Sequence, residues 1–156
     1  MMLSPNNRSV YTDALTPPAG YILDTAVAAT FSMDLTTLLS VPLQLVLQST
    51  EDQNELMRDP ISLYEALQRA TERVHVFVQH GRIQAPRSDH LLYSLLEPMI
   101  TEVNAPRGGA FHPKVWVLRF TSVAGSDVQY RLLLASKNLT SDRCWDVALS
   151  LDGSLG

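Results

Sequence analysis

"FHPKVWVLRF", residues 111–120, is dense in β-branched and aromatic side chains and opens with a histidine and a lysine one residue apart. A polar, glycine-bearing turn, "SVAGSD" at 122–127, separates it from a second run of the same kind, "VQYRLLLAS" at 128–136. Two such runs joined by a short turn predict an antiparallel hairpin. Beyond it, "KNLTSDR" reads as a loop and "CWDVALSLDG", 144–153, as a last strand. Upstream, "NAPRGGA", 104–110, is a loop that delivers the chain into the hairpin.

Further upstream the period changes. "YILDTAVAATFS", 21–32, predicts a buried strand. Ser32 or Asp34 then caps a helix in which Leu35, Leu38, Leu39, Leu43 and Val46 recur at helical spacing, with Pro42 kinking or splitting it. "STEDQNELM" is a polar connector with room for a short helical turn. "DPISLYEALQRATER" has Asp59 as cap and Pro60 at the first helical position. "RVHVFVQ", 73–79, predicts a second buried strand, and "SDHLLYSLLEPMITEV", 88–103, a helix capped by Ser88 or Asp89 and disturbed by Pro98. Strands interleaved with helices, ending in three consecutive strands, predict an α/β fold with a mixed β-sheet flanked by helices.

The chain has 156 residues, enough for one domain with a sizeable core. Residues 1–20, rich in Pro, Asn, Ser and Thr, read as an N-terminal arm, and 21–156 as the domain. The stop just after a strand reads as the N-terminal part of a longer protein. The lone Cys144 leaves no disulfide framework and no cysteine-based zinc site. No basic start leads into an apolar run, and the apolar stretch after Tyr21 is broken by Asp24, Asp34 and Pro42. Neither a signal peptide nor a membrane span is expected, and the expected location is cytoplasmic. Residues 1–106 carry six basic and twelve acidic side chains, whereas 107–156 carry six basic and four acidic. An acidic chain thus holds its only basic excess near the hairpin.

That excess includes both lysines of a chain with ten arginines: Lys114 in the first hairpin strand and Lys137 after the second. At a strand start, His112 and Lys114 project to one side. Ser136 and Asn138 repeat the spacing at the end of the partner strand, where the hairpin brings them alongside. A compact ammonium, a hydroxyl, an amide and an imidazole that can attack or protonate near neutral pH are the groups a phosphate site requires. Taken singly, each has a structural reading, since Ser, Asn and Thr are ordinary turn formers. His75 reads as a structural strand residue and His80 and His90 as solvated. No metal-ligand spacing occurs among the four histidines. Trp116 and Trp145 read as core or sheet-face residues.

"HPK" followed by "SKNLT" resembles one copy of the His-x-Lys … Ser-x-Asn signature of the phospholipase D superfamily, and most closely its bacterial nucleases, some of them restriction or phage-defence components. "GYILDTAVAATFSMDLTTLL" is similar to the opening strand and helix of that group. The resemblance implies a phospholipase D-like half. His112 is then the nucleophile that becomes a phosphohistidine, and Lys114 and Asn138 hold phosphate oxygens. Ser136 helps orient the site, and Asp146 stands where an acidic residue can orient a site histidine. It implies neither metal nor cofactor. Arg119 stands where the family often has an aspartate, Ala135 where it usually has glycine, and Lys137 where a small residue is common. The missing aspartate points away from lipases and towards nucleases.

One motif is half of such a site, because a second histidine must protonate the leaving oxygen. A homodimer or a second motif elsewhere in a longer chain would supply it. The implied activity is a metal-independent hydrolase of nucleic acid, DNA ahead of RNA, with a role in antiviral defence. The alternative is a non-catalytic assembly or nucleic-acid-docking module, with an ATPase as a possible partner. Lipid cleavage ranks third, since no amphipathic or anchoring segment supports it.

Overall fold

The computed structural model describes residues 13–50, 52–86, 91–142 and 146–154. A six-stranded mixed sheet in the order β5-β3-β1-β6-β7-β8 forms its backbone. The strands are β1 (Tyr21–Thr30), β3 (Val74–Gln79), β5 (Ile100–Val103), β6 (Lys114–Ser122), β7 (Val128–Ala135) and β8 (Ala148–Ser154). Strands β1, β3 and β5 run parallel, whereas β6, β7 and β8 add on antiparallel from the other side of β1. Two short strands, β2 (Met33–Asp34) and β4 (Ile83–Gln84), pair with each other beside the main sheet.

Three helices separate β1 from β3. Helix α1 (Leu35–Gln48) is capped by Asp34, α2 (Gln53–Arg58) by Asp52 and α3 (Pro60–Thr71) by Asp59. Of the two predicted caps for α1, Asp34 and not Ser32 accepts the Thr37 N–H, at 2.6 Å. Pro42 does not split α1. Leu38, Val41, Pro42 and Val46 are all buried, so packing on the sheet outweighs the lost backbone donor.

The predicted helix over 88–103 is corrected. Its caps lie outside the described residues, Leu91–Met99 is a 3₁₀ segment, and Ile100–Val103 is the edge strand β5 beside β3. Pro98 removes a donor late in the segment, and the β-branched Ile100, Thr101 and Val103 that follow suit an extended chain. The predicted strand over 21–32 ends at Thr30. The start of the predicted last strand, including Cys144 and Trp145, lies outside the described residues, and β8 begins at Ala148.

The core lies between the helices and one face of the sheet. Ala26, Ala28, Val74, Val76, Val78, Trp116, Leu118, Phe120 and Leu133 point from the sheet into it and meet Leu38, Val41, Leu96 and Met99. Leu15 joins this core at 2% exposure. Arg131 ties the segment around it to β7 by donating to the carbonyls of Ala14 and Thr16. The other face is open among the described residues: Val27, Phe77, Val117, Leu134, Leu149 and Leu151 are all exposed there. β1 and β3, expected as buried strands, are therefore each buried on one face only. No helix of the described residues is long and apolar enough to cross a membrane.

Candidate active site

The carboxyl ends of β1 and β3, the start of β6 and the end of β7 meet at one end of the sheet. Register dictates this: Thr30 pairs with both Val78 and Lys114, and Val115 pairs with Leu134. β1 is also where the direction of connection changes, with β3 on one side and β6 on the other. Ligands of open α/β sheets favour such positions.

His112 precedes β6, and Lys114 is its first residue. Lys114 lies in register with Trp116, Leu118 and Phe120 on the helix-covered face, at the rim where that layer ends. Its Nζ approaches His112 Nδ1 at 3.1 Å and Nε2 at 3.5 Å. The two side chains thus meet as the sequence predicts, although His112 lies ahead of the strand. An ammonium can only donate, so this contact occupies a ring lone pair of His112. The imidazole also packs on Phe31, ring centroids 4.6 Å apart and planes tilted by 43°. Phe111, next to it, donates its N–H to Gln79 Oε1 at 2.6 Å, which fastens the entry of the motif to the end of β3. The chain reaches this point through a turn at Pro106–Gly108 in which Arg107 and Gly108 both take the left-handed conformation, φ 58° and 71°. Glycine tolerates that region freely, whereas arginine is strained in it.

Ser136 and Asn138 follow β7 in a loop held on two sides. On one side, the Asp146 carboxylate accepts from the Ser136 hydroxyl and from its N–H, the latter at 3.0 Å. The Ser136 hydroxyl oxygen in turn accepts the Val147 N–H at 3.0 Å. Asp146, just ahead of β8, thus orients Ser136, and no described contact links it to a histidine. On the other side, the turn between β1 and α1 clamps Leu139 and Ser141. The Thr30 hydroxyl accepts the Leu139 N–H at 3.3 Å and donates to the Ser32 carbonyl at 2.9 Å. Asp34 N–H donates to the Leu139 carbonyl at 2.9 Å, and Asp34 Oδ2 accepts the Ser141 N–H at 2.7 Å.

Burial by itself would raise the Asp34 carboxyl, but the hydrogen bonds from Thr37 and Ser141 outweigh it and hold the group below its ordinary range. Between these anchors, Asn138 Oδ1 is buried and has no hydrogen-bond partner among the described residues. An unsatisfied buried acceptor is rare in folded proteins and calls for a functional account. Sequence reasoning missed Thr30 and Asp34 as supports of this loop. The sequence marks Asp34 as a helix cap alone, and its second oxygen, which holds Ser141, has no sequence signal.

Lys137 lies half-buried and donates to the Asp142 carbonyl, so it braces the loop as well as adding charge. Arg119, at the position where an aspartate was expected by resemblance, is remote from the site. Five residues along a strand is roughly 17 Å. Arg119 also points to the open face, where it pairs with Asp24. That ion pair raises its already high pKa further. His75 is exposed on the same open face, and His80 contacts Glu102 at 3.3 Å. His90 lies outside the described residues. A cleft of about 580 Å³ opens between the start of β1 and helices α1 and α3, and none of the five candidate residues lines it.

No family model and no curated protein matches the chain. Among solved structures it is similar to yeast tyrosyl-DNA phosphodiesterase over 76% of its length, with 16% identity and a TM-score of 0.41. It is also similar to polyphosphate kinase from Porphyromonas gingivalis over 88% of its length, with 18% identity and a TM-score of 0.38. The chain spans about a fifth of those proteins, 22% and 19% respectively.

Proposed function

We propose that this chain is a phospholipase D-like phosphodiesterase half that cleaves nucleic acid, DNA ahead of RNA, through a phosphohistidine on His112. The observation that carries the reading is the contact of Lys114 Nζ with His112 Nδ1, 3.1 Å, on the strand beside the one that presents Ser136 and Asn138. A phosphodiester entering this corner competes for the ammonium. As Lys114 turns to a phosphate oxygen, the ring lone pair it occupied is released for attack. His112 forms an N–P bond, and the P–O bond to the leaving oxygen breaks. The leaving oxygen takes its proton from a second histidine. Water then attacks phosphorus and gives its proton to that second histidine as the N–P bond breaks. Lys114 and the Asn138 amide are the donors for the charge that develops on phosphorus oxygens. Ser136, whose hydroxyl donates to Asp146, orients the loop that carries Asn138, and none of these steps requires a metal ion.

The second histidine comes from another copy of this chain or from a second motif in a longer protein. A role in bacterial phage defence is the cellular setting that the 112–140 motif's resemblance implies. The decisive experiment is cleavage of labelled single- and double-stranded DNA in excess EDTA, native chain against His112→Ala. Metal-independent cleavage by the native chain alone, with an acid-labile phosphoryl adduct on His112, is expected. Cleavage that survives in His112→Ala would refute the assignment.

A second reading has its own observation. The open sheet face, with Leu149 and Leu151 each 52% exposed, is the kind of apolar surface that an assembly module covers with a partner. On that reading the chain docks nucleic acid or a neighbouring ATPase. Complex formation would then be indifferent to His112→Ala and lost on placing charges at Leu149 and Leu151.

A further inference from the structure

We propose that Arg82, lying over Phe31, forms a second anion subsite beside the His112–Lys114 pair and takes the neighbouring phosphate of a nucleic-acid strand. The proposal rests on the phosphodiesterase reading and specifies its substrate as a polyanionic strand.

Arg82 follows β3 in a tight turn, its N–H donating to the Gln79 carbonyl at 3.1 Å and its carbonyl accepting the Met33 N–H at 3.1 Å. The backbone is therefore held from both sides. Its guanidinium carbon sits 5.1 Å from the centroid of the Phe31 ring, and that ring lies 4.6 Å from the His112 ring. Arg82, Phe31 and His112 thus form a continuous contact chain, with the guanidinium no more than about 10 Å from the imidazole. A nucleic-acid strand advances about 3.4 Å per phosphate along a duplex axis and further when stretched, so a reach of this size covers the next phosphate or two.

Four other described arginines are engaged: Arg69, Arg119 and Arg131 pair with carboxylates, and Arg73 donates to the Leu23 carbonyl. Arg58 and Arg107 are exposed without a carboxylate partner among the described residues, and Arg82 differs from them in lying over the ring that contacts His112. Among the described residues no carboxylate pairs with Arg82. Glu102, close by in sequence register, is engaged by the Gly81 N–H at 2.8 Å and by His80. A guanidinium stacked on an aromatic ring keeps its edge donors free, and their fork fits a phosphate bidentately. Stacking also limits the rotamer entropy lost on binding. A lipid headgroup or a small diester with a single phosphate would meet His112 and Lys114 and leave Arg82 unused.

The test is binding of a fluorescent single-stranded oligonucleotide by anisotropy over a range of salt, with dimethyl phosphate as a competing single diester. Arg82→Gln should weaken strand binding about tenfold at low salt. It should also reduce the slope of log affinity against log salt by about 0.7, the value for one phosphate contact on a single strand. Competition by dimethyl phosphate should be unchanged. Phe31→Leu, which removes the platform and keeps the charge, should weaken strand binding with little change in slope. Strand binding lost in Lys114→Met but untouched in Arg82→Gln refutes the subsite and leaves the phosphodiesterase reading standing. A strand that binds neither protein refutes both. Equal loss of strand and single-diester binding in Arg82→Gln places the guanidinium on the reacting phosphate and also overturns the proposal.

Discussion

Asp34 ends one element and anchors another, and the substitution Asp34→Asn separates the two tasks. In the native chain Oδ1 caps α1 through the Thr37 N–H at 2.6 Å, and Oδ2 holds the Ser141 N–H at 2.7 Å. The side chain is 8% exposed, so water replaces neither bond well. Asparagine caps helices as well as aspartate, so its one oxygen keeps α1 intact. Its amide NH₂ then faces the Ser141 N–H, and a hydrogen bond to a charged acceptor, worth about 1.5–3 kcal/mol, is lost. The expected cost is therefore about 2 kcal/mol, which lowers the melting temperature of a domain this size by roughly 4–8 °C. Asp34→Ala adds the loss of the cap, about 1 kcal/mol more.

The assay is thermal unfolding by circular dichroism together with hydrogen exchange at Leu139 and Ser141. The Ser141 amide should exchange faster in Asp34→Asn, while the Leu139 amide, held by the Thr30 hydroxyl, and the α1 amides stay protected. Asn138 sits in the released loop, so DNA cleavage should fall by about 100-fold, the scale of a catalytic group misplaced by about 1 Å. Unchanged protection at Ser141 with native activity would refute the clamp.

Acid should act through the same carboxyl. Its folded pKa lies below the ordinary 3.8, so its contribution is complete above that value and is lost as pH falls through the folded pKa. Asp152, held down by hydrogen bonds from Arg131, adds a loss of the same sign in the same range. Acid titration of Asp34→Asn should accordingly be shallower below about pH 4 than that of the native chain. Thr30→Val removes the hydroxyl between the Leu139 N–H and the Ser32 carbonyl while keeping the volume. It should cost about 1–3 kcal/mol in guanidinium unfolding, and Thr30→Ser should restore most of it. Trp116→Ala, at a side chain 2% exposed, should cost about 3–5 kcal/mol and lower the melting temperature well beyond either loop variant.

The strands and helices with strong local signals were legible in the sequence. The hairpin of β6 and β7, the Asp59–Pro60 start of α3 and the apolar spacing of α1 are each decided within a few residues by period, cap or turn chemistry. The contact of His112 with Lys114 was legible too, and Ser136 with Asn138 repeats that spacing where the chain leaves the hairpin. Only the tertiary structure decided the rest. Ile100–Val103 is a strand because β3 offers it an edge, whereas its flanking sequence reads as the tail of a helix. Local propensity is weak enough that such an edge overrides it. Asp146 holds Ser136, and Thr30 and Asp34 hold the loop beyond Asn138, across more than a hundred residues of chain. Sequence spacing carries no record of such long-range hydrogen bonds. Phe31 and Arg82 likewise follow the ends of β1 and β3 and His112 precedes the start of β6, and the parallel register of β1 with β3 and the antiparallel register of β1 with β6 bring them together.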